Sequence, residues 1–408
     1  MTTDKHNKLP NVPPLRFPEF TDEWKTYKVS DVLDFYSTNS LSWDQLEYSD
    51  GELSNLHYGL IHVGLPTLVN LKDDLLPTIK EGSTPKNYTL CLNGDVAFAD
   101  ASEDTNDVAK AIELVETDGN KVVFGLHTIH GRDNKGLTTL GFKGYAFSSK
   151  VFHDQIKCIA QGTKIYSISS KNFTECYIGI PSKAEQSKIA RLLSLLDRRI
   201  AAQSGLIEDL QKLKAAIIER LYSQQNANNK IGEMVTQVST RNRGYNDYSV
   251  LSVNNRLGFI EQSEQFEDRM VASEDTSNYK VVSRDDFAYN PARINVGSIA
   301  RLTSFEKGIV SPMYICFHTK AQLLPQYLEH FFATRYFDCE MQKRLEGSVR
   351  LCLSWEGLCN IPISVPSIEQ QEYIANRISR FTDKISLEER YLDILKIQKQ
   401  YLLQAMFI

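Results

Sequence analysis

The residues best suited to chemistry in this 408-residue chain are arginines, lysines and asparagines gathered in loop-like strings. Arg241-Asn242-Arg243-Gly244-Tyr245-Asn246 combines guanidinium groups, which fit guanine edges or phosphates, with carboxamides, which pair with adenine. Asn290 and Arg293 follow a strand-like segment and precede Gly297, where backbone can approach a ligand closely. Arg350 and Lys164 lie just after Gly347 and Gly162, and Lys86-Asn87-Tyr88 and Arg132-Asp133-Asn134-Lys135 are similar strings in the first half. The candidate nucleic-acid contacts are therefore Lys86, Asn87, Tyr88, Arg132, Lys135, Lys164, Arg241, Arg243, Tyr245, Asn290, Arg293 and Arg350. For any one of them the alternative is a solvated surface loop, so the strings count for more as groups than their members do.

Covalent chemistry has little foothold. The sequence has no GxxxxGK[ST] loop for nucleotide phosphates, no GxSxG elbow, and no Pro-Asp dipeptide from which a PD…(D/E)xK nuclease cluster would start. Asn290-Pro291-Ala292-Arg293 is the nearest string to the Asn/Asp-Pro-Pro-aromatic motif of base-amino methyltransferases, and it lacks the second proline and the aromatic. His127 and His130 are three apart with no acid or thiol at ligand spacing, and the seven cysteines form no CxxC pair. The expectation is a chain with no catalytic residues, no metal and no cofactor of its own.

Composition is that of a globular protein, 42% apolar and 24% charged, long enough for two to four domains. Scattered cysteines, a polar proline-rich N-terminal stretch and the absence of a long apolar run predict a cytoplasmic protein without membrane association. The net charge of −5 opposes nucleic-acid binding only weakly, because acid is concentrated in residues 100–118 and 261–275.

The elements that would position these loops come in two copies. Sliding the chain by 185 residues aligns 144–222 with 329–407 without a gap, at roughly one identity in five. Gly162 then meets Gly347, Pro181-Ser182 meets Pro366-Ser367, Gln186 meets Gln371, and Lys214 meets Lys399. Each copy runs strand-like residues into a proline and then into a helix-start box, Ser182-Lys183-Ala184-Glu185 and Ser367-Ile368-Glu369-Gln370. Beyond it, apolar residues alternate spacings of four and three. They are Ile189, Leu193, Leu196, Ile200, Ile207, Leu210, Ile217 and Leu221 in the first copy. In the second they are Ile374, Ile378, Phe381, Ile385, Leu392, Leu395, Leu402 and Met406. A seam of about five heptads predicts a coiled coil. A helix of ~40 residues, about 60 Å long, would overhang a small domain, so each helix is the other's natural partner, running antiparallel with a module at each end.

The expected fold class is α+β: two mixed α/β modules in an internal repeat, each followed by a long helix. The expected boundaries are 1–181 for the first module with an N-terminal arm and 182–223 for the first helix, then 224–366 for a polar linker and the second module and 367–408 for the second helix. Expected strands are 58–63, 94–99, 122–126, 165–168, 248–253, 279–283, 286–290, 309–317 and 361–365, with helices near 144–159 and 326–345. Upstream of these helices the modules diverge, as two readers of different targets would.

The strings LRFPEF…EW (15–24), GTKIYSISSKNF (162–173), IPSKAEQSKIA (180–190), YNPARINVGSIAR (289–301), GSVRLCLSWEGL (347–358) and VPSIEQQEYIA (365–375) resemble the specificity subunit of type I restriction–modification systems over essentially the whole chain. The second module lacks an obvious LRF…W lead-in. The resemblance implies two target-recognition domains, each reading one half of a gapped site in double-stranded DNA, with the helices setting the gap and docking two modification (methyltransferase) subunits. It implies further that S-adenosylmethionine, ATP and Mg belong to those partners and to restriction (translocase/endonuclease) subunits, and that adenine is methylated after being flipped out. Two rivals stay open at this point, a coiled-coil adaptor that binds only protein and a self-contained DNA enzyme.

Overall fold

The computed structural model describes residues 11–105, 107–162, 164–223, 226–243, 248–265, 275–347 and 350–408. The chain divides into two compact units. The first is built from residues up to Ser204 together with Arg390–Ile408, the second from Gly205–Glu389. Four helices matter below: α1 (Lys150–Ile159), α2 (Lys183–Ser223), α3 (Arg335–Gln342) and α4 (Ile368–Ala405). Each unit thus holds a segment of α2 and a segment of α4. Among the described residues no helix is long and apolar enough to cross a membrane.

In the first unit a five-stranded sheet runs in the order Asp34–Tyr36, Thr128–Arg132, Val96–Ala99, Ala111–Glu116, Leu68–Asn70. Its centre explains the unbroken apolar string Val96-Ala97-Phe98-Ala99. Side chains alternate faces along a strand, and here both faces are covered. Val96 and Phe98 enter a core with Phe147, Phe152 and Phe173, while Ala97 and Ala99 enter a second core with Leu56, Leu114 and Phe124. A four-stranded sheet lies beyond, in the order Lys121–Phe124, Leu53–Leu56, Thr78–Ile79, Leu46–Glu47.

The second unit repeats this plan with fewer strands. One four-stranded sheet has the order Val235–Val238, Ile315–Thr319, Phe287–Tyr289, Ile299–Arg301, and the other Gly258–Glu261, Val250–Asn254, Lys307–Val310, Lys280–Ser283. Phe287, Tyr289 and Phe317 face one core, Ala288 and Cys316 the other.

Three expectations need correction. Residues 58–63 form a helix, not a strand: the His57 side chain accepts the Gly59 N–H at 3.1 Å as an N-cap, and Ile61 is the residue it buries. The segment 309–317 is two strands, because the Ser311-Pro312 turn ends Lys307–Val310 before Ile315–Thr319 begins. The helices expected at 144–159 and 326–345 are each broken in two, since Ser149 and Thr334 cap new starts by accepting from Phe152 N and Phe337 N at 3.3 and 3.1 Å.

Where module meets helix, one side chain in each unit does the joining. Gln186, fully buried, accepts the Thr139 N–H at 2.7 Å and donates to Leu137 O and Pro181 O at 3.2 and 3.0 Å. Gln371, fully buried, accepts the Leu324 N–H at 2.8 Å and donates to Gln322 O and Pro366 O, both at 2.9 Å. Every partner in the second set lies 185 positions after its counterpart. The helix-start serines also act as expected, Ser182 and Ser367 accepting from Glu185 N and Gln370 N at 3.4 Å. Glu185 does not close the box, however. Its buried carboxylate is gripped by Arg16 Nε at 2.7 Å and Nη2 at 2.8 Å and by Trp24 Nε1 at 3.2 Å, which ties the N-terminal arm to α2.

The expected seam residues are mostly internal. In the first unit Ile189, Leu193 and Leu196 of α2 share a core with Leu395, Leu402 and Met406 of α4, while Ile200 and Leu392 are half-buried. Asp197 and Lys399 form an ion pair of 2.6 Å beside them, and the Tyr145 hydroxyl donates to Asp197 at 2.9 Å. In the second unit Ile374, Ile378 and Ile385 are buried, Phe381 is half-buried, and Ile207 is buried with Leu210 half-exposed. Near the end of α2 the seam shifts by one residue. Ile218 and Tyr222 fill the core, and Ile217 and Leu221 are half-exposed beside it.

Candidate nucleic-acid interface

The second unit opens a cavity of about 680 Å³ between its two sheets, lined among others by Ser252, Gln262, Asn290, Arg293, Ser311 and Arg350. Three expected residues are therefore brought together, Asn290 and Arg293 from one turn and Arg350 from far along the chain. Asn290 ends the strand Phe287–Tyr289, is buried, and its Oδ1 accepts the Ala292 N–H at 3.1 Å, which turns the chain. Arg293 follows on that turn and is exposed. Arg350 arrives from the other side, on the loop that Gly347 opens with φ +114°, and the loop is pinned by Leu353 N donating to Pro291 O at 3.0 Å. A Cβ at Gly347 would lie 2.3 Å from Arg350 O, so only glycine fits there. Among the described residues the guanidinium groups of Arg293 and Arg350 have no acidic partner.

The first unit has a cavity of about 460 Å³ at the matching place, lined by Tyr58, His62, Ser102, Glu103, His127 and Ile165 among others. The frame is the same. Gly162 has φ +135°, its Cβ would lie 1.9 Å from Ile165 O, and Ile168 N donates to Asp100 O at 2.9 Å. Ile165 stands 185 positions before Arg350, so an apolar side chain and a cation occupy equivalent rims. The chemistry differs too. His127, at φ +54°, faces Asp100 at 3.1 Å, and burial raises the Asp100 carboxyl despite that histidine. His62 meets Ala101 O at 3.0 Å.

The remaining expected residues are spread out. Lys86, Asn87 and Tyr88 are exposed on the long loop between Thr78–Ile79 and Val96–Ala99, and Lys164 is exposed beside Gly162. Lys135 is exposed, with its Nζ on Asp31 O at 2.6 Å. Arg241 is held by Asn278 at 2.7 Å, Arg243 is exposed beside it, and Tyr245 lies outside the described residues. Arg132 turns inward. It grips the buried Asp95 at 2.8 and 2.6 Å, donates to Leu90 O at 2.8 Å, and lies 4.8 Å over the Tyr36 ring.

Asp95 is also met by His130 Nε2 at 2.7 Å. Burial pushes its carboxyl up, but the hydrogen bonds from Arg132 and His130 outweigh this and hold it below the usual range. Cys91 completes a cluster in which candidate metal-ligand atoms lie within 4.8 Å of one another. Burial raises the Cys91 thiol well above its ordinary value, and a metal needs thiolate. With both Asp95 oxygens taken by Arg132, this is an ion-paired knot that holds the strand Thr128–Arg132.

Sequence reasoning missed the hairpin tip beside the second cavity, Asn254 to Gly258. Asn255 Nδ2 donates to Val296 O at 3.4 Å, which joins the tip to the Asn290–Gly297 turn. A strand followed by Asn-Asn-Arg-Leu-Gly is a hairpin signal and was legible.

Comparison with known proteins bears on the fold and on the sequence of the first unit. Residues 68–212 match the family model of the type I restriction modification DNA specificity domain. The chain is 23% identical over 291 residues to the type I restriction enzyme MjaVIII specificity subunit of Methanocaldococcus jannaschii, covering 64% of this chain and 68% of that protein. In fold it is similar to the crystal structure of a type I restriction–modification S subunit from M. genitalium, at 15% identity and a TM-score of 0.56 over 97% of this chain and 99% of that one. It is also similar to a chain solved to explain complex assembly and conformational transition of the type I R-M system, at 13% identity and a TM-score of 0.59 over 96% and 98% of the two chains. The chain is thus similar, in sequence over residues 68–212 and in fold over nearly its whole length, to specificity subunits of type I restriction–modification systems.

Proposed function

We propose that this chain is a specificity subunit that recognises a two-part DNA site, one half through each module, and itself catalyses nothing. The observation that carries the reading is the recurrence, at a fixed offset of 185 residues, of the framework around two cavities whose rims differ. Gln186 and Gln371, Gly162 and Gly347, and the caps Ser149 and Thr334 repeat in kind and in contact, whereas Ile165 and Arg350 do not. A duplicated frame with different rims suits two readers of different sequences.

In this proposal α2 and α4 form an antiparallel coiled coil that sets the spacing between half-sites and docks two modification subunits. The supporting observation is the shared core of seam residues from both helices within the first unit. Residues 1–181 and 224–366 are then the two target-recognition domains, and 182–223 and 367–408 the spacer helices. S-adenosylmethionine, ATP and Mg act in the modification and restriction subunits. The exposed cations, Lys86, Lys135, Lys164, Arg241, Arg243, Arg293 and Arg350, supply contacts to phosphates and base edges, while Arg132 holds its strand in place. A protein-only coiled-coil adaptor is not favoured by the family match.

Adenine methylation mapped genome-wide, in a host with the cognate modification subunit and with or without this chain, tests the proposal. A gapped motif that depends on the chain is expected, with replacement of 230–366 changing one half-motif alone. Methylation unchanged by the chain, while the chain is bound to the modification subunit, overturns it.

A further inference from the structure

The second unit carries an element that the cavity alone does not explain. Strands Val250–Asn254 and Gly258–Glu261 pair antiparallel, with Asn254 opposite Gly258, and leave Asn255, Arg256 and Leu257 as a three-residue tip. The stem is anchored, since Leu251, Val253 and Phe259 are buried in one core. The tip is held in shape from within. Asn254 Oδ1 accepts the backbone N–H of Arg256 at 2.8 Å and of Leu257 at 3.1 Å, and Gly258 takes φ +70°, where a side chain would be strained. It is held from below by the Asn255 contact to Val296 O.

On this fixed tip Leu257 is 71% exposed. Beside it Arg256 is exposed, and among the described residues its guanidinium has no acidic partner. A lone exposed leucine needs no explanation on a mobile loop. Here it is presented by a braced turn, next to an exposed cation, on the unit whose neighbouring rim adds Arg293 and Arg350. A two-stranded ribbon fits the major groove of B-form DNA. The only strong apolar feature on the base edges of that groove is the C5-methyl of thymine, and the commonest partner of arginine there is the O6/N7 edge of guanine.

We infer that the 254–258 hairpin is a base-reading element of the second module, with Leu257 against a thymine methyl and Arg256 on an adjacent guanine edge. This rests on the two-reader proposal above and names the bases that one half-site must contain.

The test uses the full chain in complex with its modification subunits and duplexes carrying the mapped site. Deoxyuridine replaces thymine one position at a time in the second half-site, removing one methyl group and nothing else, and methyl transfer is followed by initial rate at limiting DNA. The expected result is one position at which deoxyuridine slows transfer by about 5-fold or more, the lower end of a specific base contact. Leu257→Ala should erase that difference while leaving sensitivity in the first half-site unchanged. In parallel, 7-deazaguanine next to that position should slow the wild type and not Arg256→Ala. Indifference of the wild type to deoxyuridine throughout the second half-site overturns the inference while the chain-dependent motif keeps the general reading intact. So does a Leu257→Ala complex that keeps the full deoxyuridine effect. Loss of any chain-dependent motif removes both.

Discussion

The two buried glutamines at the module–helix junctions make the duplicated frame measurable. Gln371→Leu keeps nearly the same volume but removes one acceptor and two donated hydrogen bonds. The Leu324 N–H loses its acceptor in a half-buried place, at about 1–2 kcal/mol. Pro366 O loses its donor for about 1 kcal/mol, and Gln322 O, on an exposed residue, recovers most of its loss from water. The sum is about 2–3 kcal/mol, a large part of a unit's stability. Gln186→Leu should cost the same in the first unit by the same count. Native-state hydrogen exchange with peptide-level readout is the assay, because it reports opening free energies locally. Gln371→Leu should speed exchange of the slowest amides within 205–389 by roughly 30- to 150-fold and leave those of 11–204 alone, and Gln186→Leu should do the converse. Gln371→Glu should be worse than leucine, since it loses both donors and buries a charge. A loss below ~1 kcal/mol, or equal loss of protection in both units from either variant, would refute the reasoning.

Three further outcomes follow from the geometry. Gly347→Ala places a Cβ 2.3 Å from Arg350 O at φ +114°, which strains the backbone by about 1–3 kcal/mol and moves Arg350 off the cavity rim. Modification of one half-site variant set should weaken several-fold while Gly162→Ala affects the other set, as read by methylation of oligonucleotide libraries. His330 is pushed down to about 4, first by burial and then by Lys214 and Arg301. A depressed histidine contributes stability above its unfolded value near 6.5 that is lost as pH falls toward about 4, at most about 3 kcal/mol. His330→Leu should flatten that part of the denaturation midpoint against pH, and an unchanged slope would count against it. Arg132→Ala leaves Asp95 buried with only His130 and the Leu92 N–H and should cost about 3 kcal/mol in the first unit, measured by urea denaturation, with Arg132→Lys recovering only part because the bidentate grip is lost.

How much of this was legible depended on whether the signal was local. The helix starts and the seam were, because Ser182 and Ser367 cap within three residues and a heptad repeats within seven. The helix at 58–63 was not, since its cap is a histidine acting through Nδ1 and its apolar pattern is too short to separate period 2 from period 3.6. Nor did Arg132 reveal its role, since its partner Asp95 lies 37 positions away, just before the neighbouring strand Val96–Ala99. Even the missing lead-in of the second module has a structural reason. Position 185 is a glutamate that clamps Arg16 and Trp24, and its counterpart Gln370 is exposed and, among the described residues, clamps no such arm.

The net charge of −5 also finds a place in this asymmetry. Around the first cavity Glu103 and Asp107 stand with His62 and His127, whereas the second is rimmed by Arg293 and Arg350 with Asn290 inside. Carboxylates on a reading surface accept from the amino group of cytosine, while guanidinium and carboxamide groups favour guanine and adenine. Acid thus lies at the rim of the first cavity, while the rim of the second presents cations. Transplanting 230–366 of this chain into a relative should therefore bring a purine-rich half-motif with it, read by methylation mapping. A transplanted half-motif dominated by cytosine on the contacted strand would show that these rims do not face the bases.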